Sequence, residues 1–533
     1  MKHSRILLPI PLLVIGLAMF FLQRNYIDEY PTHIHAWAEQ DHYALALGFI
    51  NNGFDLFHPE TMIYNKQFPG WWQEPSATTI TSADFPIHEY IVALLMKLFG
   101  TTSPWVFRLW TLLWAVIGLL FVYRIAFLVT KKFTKSLFVT FVALCSPVFV
   151  YYSNGFLPSI PALSMGIIGL WFYLRYYEDK KRRHFHLGIA FLTIAMLMRT
   201  TFAIELIAVL CFELLRVIRK ESTLPDKLPS ILISAALFLA YFLWNRHLRN
   251  LHGTIFLNQL VPPDDWQDFK ELVADTYHKW TFHYFQRLQY LALSALAIAA
   301  VVIAIIRKRA LKHTQPSSSD SHAPLSLWWL PLIEVFGCLL FSVAMMQQMP
   351  FHDYYLLDTF FLPFVFAVAL LLRQFHFRLL STKAFAALTA AVLCVFWVRG
   401  AMTMQEKRRT MEYDGFYSYE RFQDADKILD SLGISRDAKI LCLYGYAQNG
   451  PFIQMGRKGY TMMWDEEGWL ENALGWDYDY IVIENGKFSV HLDKNRELLS
   501  RLKKIGGNKQ LSVCTPTNNW TYLEDWQFFC PVE

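Results

Sequence analysis

A short polar stretch near the N-terminus, AWAEQDHYALA over residues 36–46, contains side chains suited to acid–base chemistry. Two carboxylates, Glu39 and Asp41, stand beside the imidazole of His42 and the phenol of Tyr43. A carboxylate can take a proton from a hydroxyl, and its polar neighbours can contact a sugar or a phosphate. Helical spacing puts Glu39 on one face with His42 and Tyr43. The spacing leaves open whether Asp41 or Glu39 faces a cavity.

A second polar group, Asp84, His88 and Glu89, opens the apolar segment 85–100. At about 16 residues, that segment fits an interfacial or re-entrant helix better than a membrane span. The three side chains are candidates for binding substrate. The simpler interpretation is that the acids stabilise a helix N-terminus through its dipole.

A third group of polar side chains lies near the ends of apolar segments. A departing phosphate is stabilised by cations and hydrogen-bond donors, which these residues could supply. Simpler explanations are arginines that reach the membrane surface and tyrosines that form an interfacial belt. The candidates are Arg108, Arg199, His352, Asp353, Tyr354 and Tyr355.

The composition explains what must position these groups. Hydrophobic residues make up 54% of the 533 residues and charged residues 17%, against about 25% charge in soluble proteins. We therefore predict a polytopic α-helical membrane protein. The net charge of +5 does not favour nucleic-acid binding. The seven cysteines show no CxxC or Cys/His spacing, so we predict no metal site and no cofactor.

The long apolar segments predict about eleven transmembrane helices. Basic residues cluster in alternate connecting loops, which the positive-inside rule makes cytoplasmic. We therefore predict an uncleaved first span with a cytoplasmic N-terminus, a C-terminal tail outside, and an inner (plasma) membrane location. The segments are roughly 6–22, 104–130, 136–153, 158–176, 185–198, 201–218, 229–246, 289–306, 325–347, 355–372 and 384–398.

Two domains are predicted. Residues 1–398 form a transmembrane domain whose first outside loop covers about 23–103, too long for a plain connector. Residues 399–533 form an extracytoplasmic α/β domain, with a helix at 421–432 and strands at 438–445 and 478–484. In an oxidising compartment, Cys514 and Cys530 are the expected disulfide, and Cys442 is a buried strand residue.

The order of these features resembles a known family. A first span precedes a long outside loop with an acidic helix, then a proline-led helix ending Lys-Leu-Phe-Gly, then a span opening with Arg108-Leu109. This layout resembles the C-type membrane glycosyltransferases, specifically the protein-mannosyltransferase-like family 39 and the related lipid A aminoarabinose transferase. The family's Lys-Pro-Pro-Leu motif appears as residues 84–87, Asp-Phe-Pro-Ile, without the lysine.

The resemblance implies a catalytic base in the first outside loop. In that family the base is an acidic residue, often in an Asp-Glu pair followed by Arg-Tyr. His42-Tyr43 stands where Arg-Tyr would be. Within the first outside loop the Asp-Glu dipeptide occurs earlier, as Asp28-Glu29. We therefore rank Asp41 first, Glu39 second and Asp28 third as the base.

The expected function is transfer of a hexosyl or pentosyl unit, with inversion, from a polyprenyl-phosphate donor. The acceptor hydroxyl would belong to a glycan, lipid or protein at the outer face, so the partners are membrane lipid, donor and acceptor. The alternative is a polytopic transporter or flippase for a lipid-linked or small polar substrate. Such a protein would carry ionisable residues in the middle of its spans, whereas here they concentrate at outer ends and in the first loop.

Overall fold

The computed structural model describes residues 9–70, 73–257, 259–314, 325–375, 383–409, 413–463, 469–490 and 502–516. The chain divides into two compact units. The first unit comprises Met1–Ile27, Arg108–Tyr241 and Gln259–Lys407. The second unit comprises Asp28–Phe107, Phe242–Asn258 and Arg408–Glu533.

Helices dominate the described residues, and strands occur only near the C-terminus. The helices are α1 Pro9–Gln23, α2 Ala36–Asn51, α3 Ile87–Phe99, α4 Pro104–Thr130, α5 Phe133–Leu144, α6 Pro147–Tyr152, α7 Ser159–Asp179, α8 Arg182–Met198, α9 Ala203–Ile218, α10 Leu228–His252, α11 Trp266–Tyr284, α12 Arg287–Thr314, α13 Trp329–Ala344, α14 Tyr354–Gln374, α15 Lys383–Arg409, α16 Tyr413–Glu420, α17 Ala425–Ser431, α18 Gly450–Met455, α19 Trp469–Ala473 and α20 Asn485–Val490. The strands are β1 Ile440–Leu443, β2 Gly459–Met462, β3 Tyr480–Glu484, β4 Leu502–Gly507 and β5 Leu511–Pro516.

The first unit consists of apolar helices. Four helical segments of the described chain are long and apolar enough to cross a membrane: Pro104–Thr130, Leu228–His252, Arg287–Ile306 and Tyr354–Gln374. Their positions agree with four of the predicted spans, and the total of about eleven stays a prediction.

One predicted span is interrupted. The apolar segment 136–153 was expected to form one helix, but α5 ends at Leu144 and α6 begins at Pro147. Proline lacks a backbone N–H and cannot continue the hydrogen-bond pattern of the preceding turn. The sequence also did not predict helix α11, which lies between the predicted spans 229–246 and 289–306.

A five-stranded sheet forms the core of the tail in the second unit. The strand order is β2-β1-β3-β5-β4, with β1 parallel to β2 and β3. Strands β1 and β3 lie where strands were predicted, and the expected helix at 421–432 is the shorter α17. Cys442 is fully buried in β1, as predicted. The expected partner of Cys514, Cys530, lies outside the described residues.

Part of the first outside loop extends this sheet. Ile63 pairs in parallel with Gly459 of β2. The side chain of Asn65 donates to the carbonyl of Thr461 (2.9 Å) and accepts from its N–H (2.8 Å). The loop therefore belongs to the same compact unit as the tail, which the sequence did not predict. The domain boundary at residue 398 stays a prediction.

Both predicted loop helices are present, as α2 and α3. Helix α2 buries polar residues as well as apolar ones. At Gly48 the helix lies directly against the chain, since a Cβ there would be 1.9 Å from the carbonyl oxygen of Glu60. Only glycine allows this approach, which holds α2 against the segment that leads to the sheet.

Gly48→Ala should therefore destabilise the second unit. The methyl group would overlap a backbone atom and force the chain apart, at a cost of about 1–3 kcal/mol. Thermal unfolding in detergent should show a lower apparent Tm. Gly16→Ala is the matched control, because a Cβ at Gly16 has nothing within 4 Å. Equal stability of the two variants would contradict the close approach.

Candidate functional site

Asp41 lies on α2 and is buried, with 3% of its surface exposed. Its Oδ1 accepts a hydrogen bond of 2.8 Å from Nδ2 of Asn449. Within the part of the chain that the structure describes, its second oxygen accepts none. Burial raises the pKa of Asp41 to about 8, against the opposing effect of the Asn449 hydrogen bond. The carboxyl group therefore holds a proton at neutral pH and loses it slightly above.

The other candidate bases differ in their surroundings. Glu39 is in the first turn of α2 and is 4% exposed, so burial does not distinguish it from Asp41. Asp28 is exposed. Asp41 combines burial with a hydrogen bond from Asn449 of the tail. The ranking of the three acids stays a prediction.

Beside Asp41, His42 joins α2 to α3. Its Nδ1 is 2.6 Å from Oε1 of Glu89, and its ring packs against Phe256 at 4.9 Å between centroids. Burial alone would raise the pKa of Glu89, but the hydrogen bond and charge of His42 lower it overall. Glu89 is thus a carboxylate that holds the imidazole in place.

His88 provides a neutral group next to this pair. Burial lowers its pKa to about 4, so the ring is uncharged at neutral pH. Neither ring nitrogen has a hydrogen-bond partner among the described residues. The ring packs edge-on against Phe107, with 5.0 Å between centroids.

Tyr43 and Asp84 complete the predicted residues of the second unit. The Tyr43 hydroxyl donates to the carbonyl oxygen of Thr102, and its ring lies between Tyr30 and Phe107. This hydroxyl links α2 to the end of the first loop. Asp84 is exposed and lies three residues before the start of α3, outside its first turn, so its role stays a prediction.

In the first unit, the structure brings together five predicted residues as an arginine–tyrosine cluster: Arg199, His352, Asp353, Tyr354 and Tyr355. The guanidinium lies over the ring of Tyr354, 5.0 Å from its centroid. It also forms an ion pair with Asp358. The His352 ring stacks on Tyr355 at 5.3 Å. The cluster is a candidate phosphate contact whose cation already has a carboxylate partner.

Asp353 is fully buried in this cluster. It accepts a hydrogen bond of 2.6 Å from the hydroxyl of Tyr152 and forms an ion pair with Lys407. Asp353 is therefore the acid of a buried ion pair. Its role in binding substrate stays a prediction.

Arg108 makes different contacts. Its guanidinium donates to the carbonyl oxygen of Asn154 (2.9 Å) and lies 4.6 Å from the centroid of Phe156. It is 2% exposed, so the arginine does not reach a surface as the simpler interpretation required.

Sequence reasoning missed several residues that contact predicted ones, among them Asn449, Lys407 and Asp358. Asn449 and Lys407 lie far along the chain from Asp41 and Asp353, so no local pattern indicates these contacts. Asp358 gave a signal that was overlooked, because an acid inside the apolar segment 355–372 is costly unless it is paired. Among the described residues, no group of three or more His, Cys, Asp or Glu could hold a metal ion.

Comparisons with known proteins bear on the family. Residues 82–244 match the sequence model of a family described as dolichyl-phosphate-mannose-protein mannosyltransferase. The predicted resemblance to C-type membrane glycosyltransferases is confirmed. The matched region contains His88, Glu89, Arg108 and Arg199. No curated protein sequence matches the chain.

Solved structures resemble the fold. The oligosaccharyltransferase of Archaeoglobus fulgidus, crystallised with zinc and sulfate, is 13% identical, with a TM-score of 0.50 over 92% of this chain and 69% of its own. ArnT from Cupriavidus metallidurans is 11% identical, with a TM-score of 0.45 over 96% of this chain and 98% of its own. A second ArnT structure, bound to undecaprenyl phosphate, has a TM-score of 0.43 at 11% identity, over 96% of this chain and 98% of its own.

Asp41→Asn should stabilise the protein at alkaline pH. A carboxyl group whose folded pKa, about 8, exceeds its unfolded value of about 4 stabilises the fold while protonated. That contribution is lost as the pH rises through the folded pKa. The apparent Tm of the variant should therefore rise relative to the wild type between about pH 5 and 8 and level off above.

Asp437→Asn provides the control, because Asp437 is an exposed aspartate of the same unit. Its apparent Tm should follow that of the wild type across the same pH range. An Asp41→Asn curve that also runs parallel to the wild type would contradict the raised pKa of Asp41.

Proposed function

We propose that this chain is a membrane glycosyltransferase that moves a sugar from a polyprenyl-phosphate donor to an acceptor hydroxyl. The match of residues 82–244 to dolichyl-phosphate-mannose-protein mannosyltransferases supports both the reaction class and the lipid-linked donor. The archaeal oligosaccharyltransferase, at a TM-score of 0.50, supports the fold. The acceptor is the hydroxyl of a glycan, lipid or protein.

The observation that carries the proposal is the environment of Asp41. A general base works best when its pKa lies near the working pH. Burial brings the pKa of this carboxyl to about 8, several units above that of an exposed aspartate. Asp41 is therefore the base, and Glu39 is the second candidate.

The chemistry follows from these groups. The ionised form of Asp41 takes the acceptor O–H proton while the acceptor oxygen bonds to the anomeric carbon of the sugar. The bond from that carbon to the phosphate oxygen breaks, and the phosphate leaves with the electron pair. Attack opposite the leaving group inverts the anomeric centre. His42, which Glu89 holds in place, offers a hydrogen bond to the sugar.

A departing phosphate needs cationic or hydrogen-bonding partners, and the arginine–tyrosine cluster of the first unit contains both kinds of group. Arg199 suits a phosphate through its planar array of donors. Asp358 already pairs with it, so a bound phosphate competes with this carboxylate. Arg108 is a further candidate for the phosphate, although the Asn154 carbonyl already accepts from it.

The proposed membrane arrangement is the one the sequence predicts. About eleven spans, a cytoplasmic N-terminus and an extracytoplasmic tail would place Asp41 at the outer face of the inner membrane. The four long apolar segments support the membrane assignment. Lipid-linked donor would then reach the protein from within the bilayer.

A transporter is the second candidate, and one observation favours it. Glu205 and Glu334 are buried acids in the apolar helices α9 and α13. Neither carboxylate oxygen of Glu205 has a hydrogen-bond partner among the described residues. Buried acids inside apolar helices mark proton or ion pathways in transporters. A transporter would not need the carboxylate of Asp41 for group transfer.

Asp41→Asn should lower sugar transfer by about 10²–10⁴-fold, the usual contribution of a general base. Asparagine keeps the shape of the side chain but cannot take the proton. The measurement is mass spectrometry of glycans and polyprenyl-phosphate sugars in cells that contain the wild type or the variant at equal protein levels. Donor should accumulate in the variant.

Glu39→Gln provides the comparison, because Glu39 lies on the same helix at similar burial. It should retain far more transfer than Asp41→Asn. The reverse order would assign the base to Glu39. Unchanged products with both variants would favour the transporter.

A further inference from the structure

Asn449 occupies the N-terminal cap position of a helix, but its side chain bonds a residue outside that helix. It follows β1 after the loop 444–449 and is the N-terminal cap residue of α18. An asparagine at a helix cap normally accepts a hydrogen bond from the N–H of the first turn. In the described structure the Asn449 side chain makes no such bond. It donates instead to Oδ1 of Asp41, 2.8 Å away.

A second hydrogen bond fixes the orientation of the Asn449 amide. Its Oδ1 accepts from the backbone N–H of Met62 at 3.0 Å. An N–H donor can face only the oxygen of the amide, so the NH₂ group must face Asp41. Asn449 is 1% exposed, which excludes free rotation into solvent. The amide is therefore aligned before any substrate arrives.

The surrounding chain maintains this alignment from both sides. On the side of α2, Gln40 donates to the Pro31 carbonyl and the Ser418 hydroxyl, both at 3.0 Å. On the side of the tail, Gly450 follows Asn449, and a Cβ there would lie 2.6 Å from Gln40 Oε1 and from Ser418 Oγ. A side chain at position 450 would displace Gln40 and Ser418, so glycine here favours the close approach of α18 to α2.

The backbone before Asn449 is constrained as well. Tyr444 and Tyr446 have φ of 63° and 62°, a conformation that costs side-chain-bearing residues free energy unless the surroundings hold it. The Tyr446 hydroxyl donates to Glu484 at 3.2 Å, and its ring stacks on Tyr417 at 5.4 Å. The loop is thus held where it delivers Asn449 to Asp41.

We propose that Asn449 is a positioning residue for Asp41, through which the tail sets the orientation and proton affinity of the base. This inference rests on the proposed function. A donor on Oδ1 stabilises the ionised carboxylate. It also leaves Oδ2 to take the acceptor proton. Without that donor, burial alone would govern the carboxyl group and hold its proton more tightly.

The test is the pH dependence of sugar transfer by the full-length protein in liposomes with polyprenyl-phosphate mannose as the donor probe. In Asn449→Ala the rising limb should shift by about 1–2 units to higher pH, the effect of one hydrogen bond to a charged group. At neutral pH the rate should fall about tenfold to a hundredfold. At high pH the activity should recover, which a merely structural defect would not allow.

Asn65→Ala is the matched control. Asn65 is a buried asparagine of the same sheet region that bonds Thr461. Its loss should lower the apparent Tm and leave the pH profile in place. If Asn449→Ala folds poorly, Asn449→Leu keeps nearly the same size and removes the donor without adding a charge, so the same shift is expected. An unshifted profile, or an equal shift in Asn65→Ala, would overturn the proposal.

A second measurement does not depend on transferase activity. Asn449→Ala should change how the apparent Tm varies with pH in the wild-type background, but not in Asp41→Asn. If this holds and the wild type itself transfers no sugar, the contact between Asn449 and Asp41 is correct and the proposed function is wrong. If both backgrounds respond alike, Asn449 does not act through Asp41 and the inference fails.

Discussion

The second unit buries the Asp41 carboxyl group away from water, and this burial constrains which groups can lie around it. An ionised carboxylate in apolar surroundings is costly, so such a group keeps its proton or acquires a donor. Here it has one donor, Asn449, whose amide is fixed by Met62. One hydrogen bond reduces the cost of ionisation without abolishing it, and the pKa therefore lies at about 8 rather than far above.

The contacts of Asn449 link the first outside loop to the tail within one compact unit. The donor to Asp41 can be held only if Met62 and Asn449 are held together. The carbonyl oxygen of Met62 accepts a hydrogen bond of 3.0 Å from the N–H of Gly459, and Ile63 pairs with Gly459 at the edge of the sheet. Such pairing of an extended segment with a sheet edge satisfies backbone groups and fixes register. The tail therefore contributes to the candidate site.

Local patterns predicted local features of the chain and missed contacts distant in sequence. Helices α2 and α3 and strands β1 and β3 were predictable, because apolar spacing and chain breakers reflect each segment's own conformation. The contact from Asn449 to Asp41 joins residues 408 positions apart, and no spacing rule reaches so far. Pro147 is a chain breaker that could have predicted the end of α5. The continuous apolar run around it favoured a single span instead.

The charges of the arginine–tyrosine cluster bear on how a phosphate could bind and leave. Arg199 pairs with Asp358, and Lys407 pairs with Asp353. Breaking a buried ion pair leaves an uncompensated carboxylate, so an incoming phosphate must replace the attraction that Asp358 provided. The free energy gained on binding is then the attraction of Arg199 for the phosphate minus its attraction for Asp358. A cation without a partner would gain the full attraction. Any phosphate that Arg199 binds would therefore be held less tightly than by an arginine with no carboxylate partner.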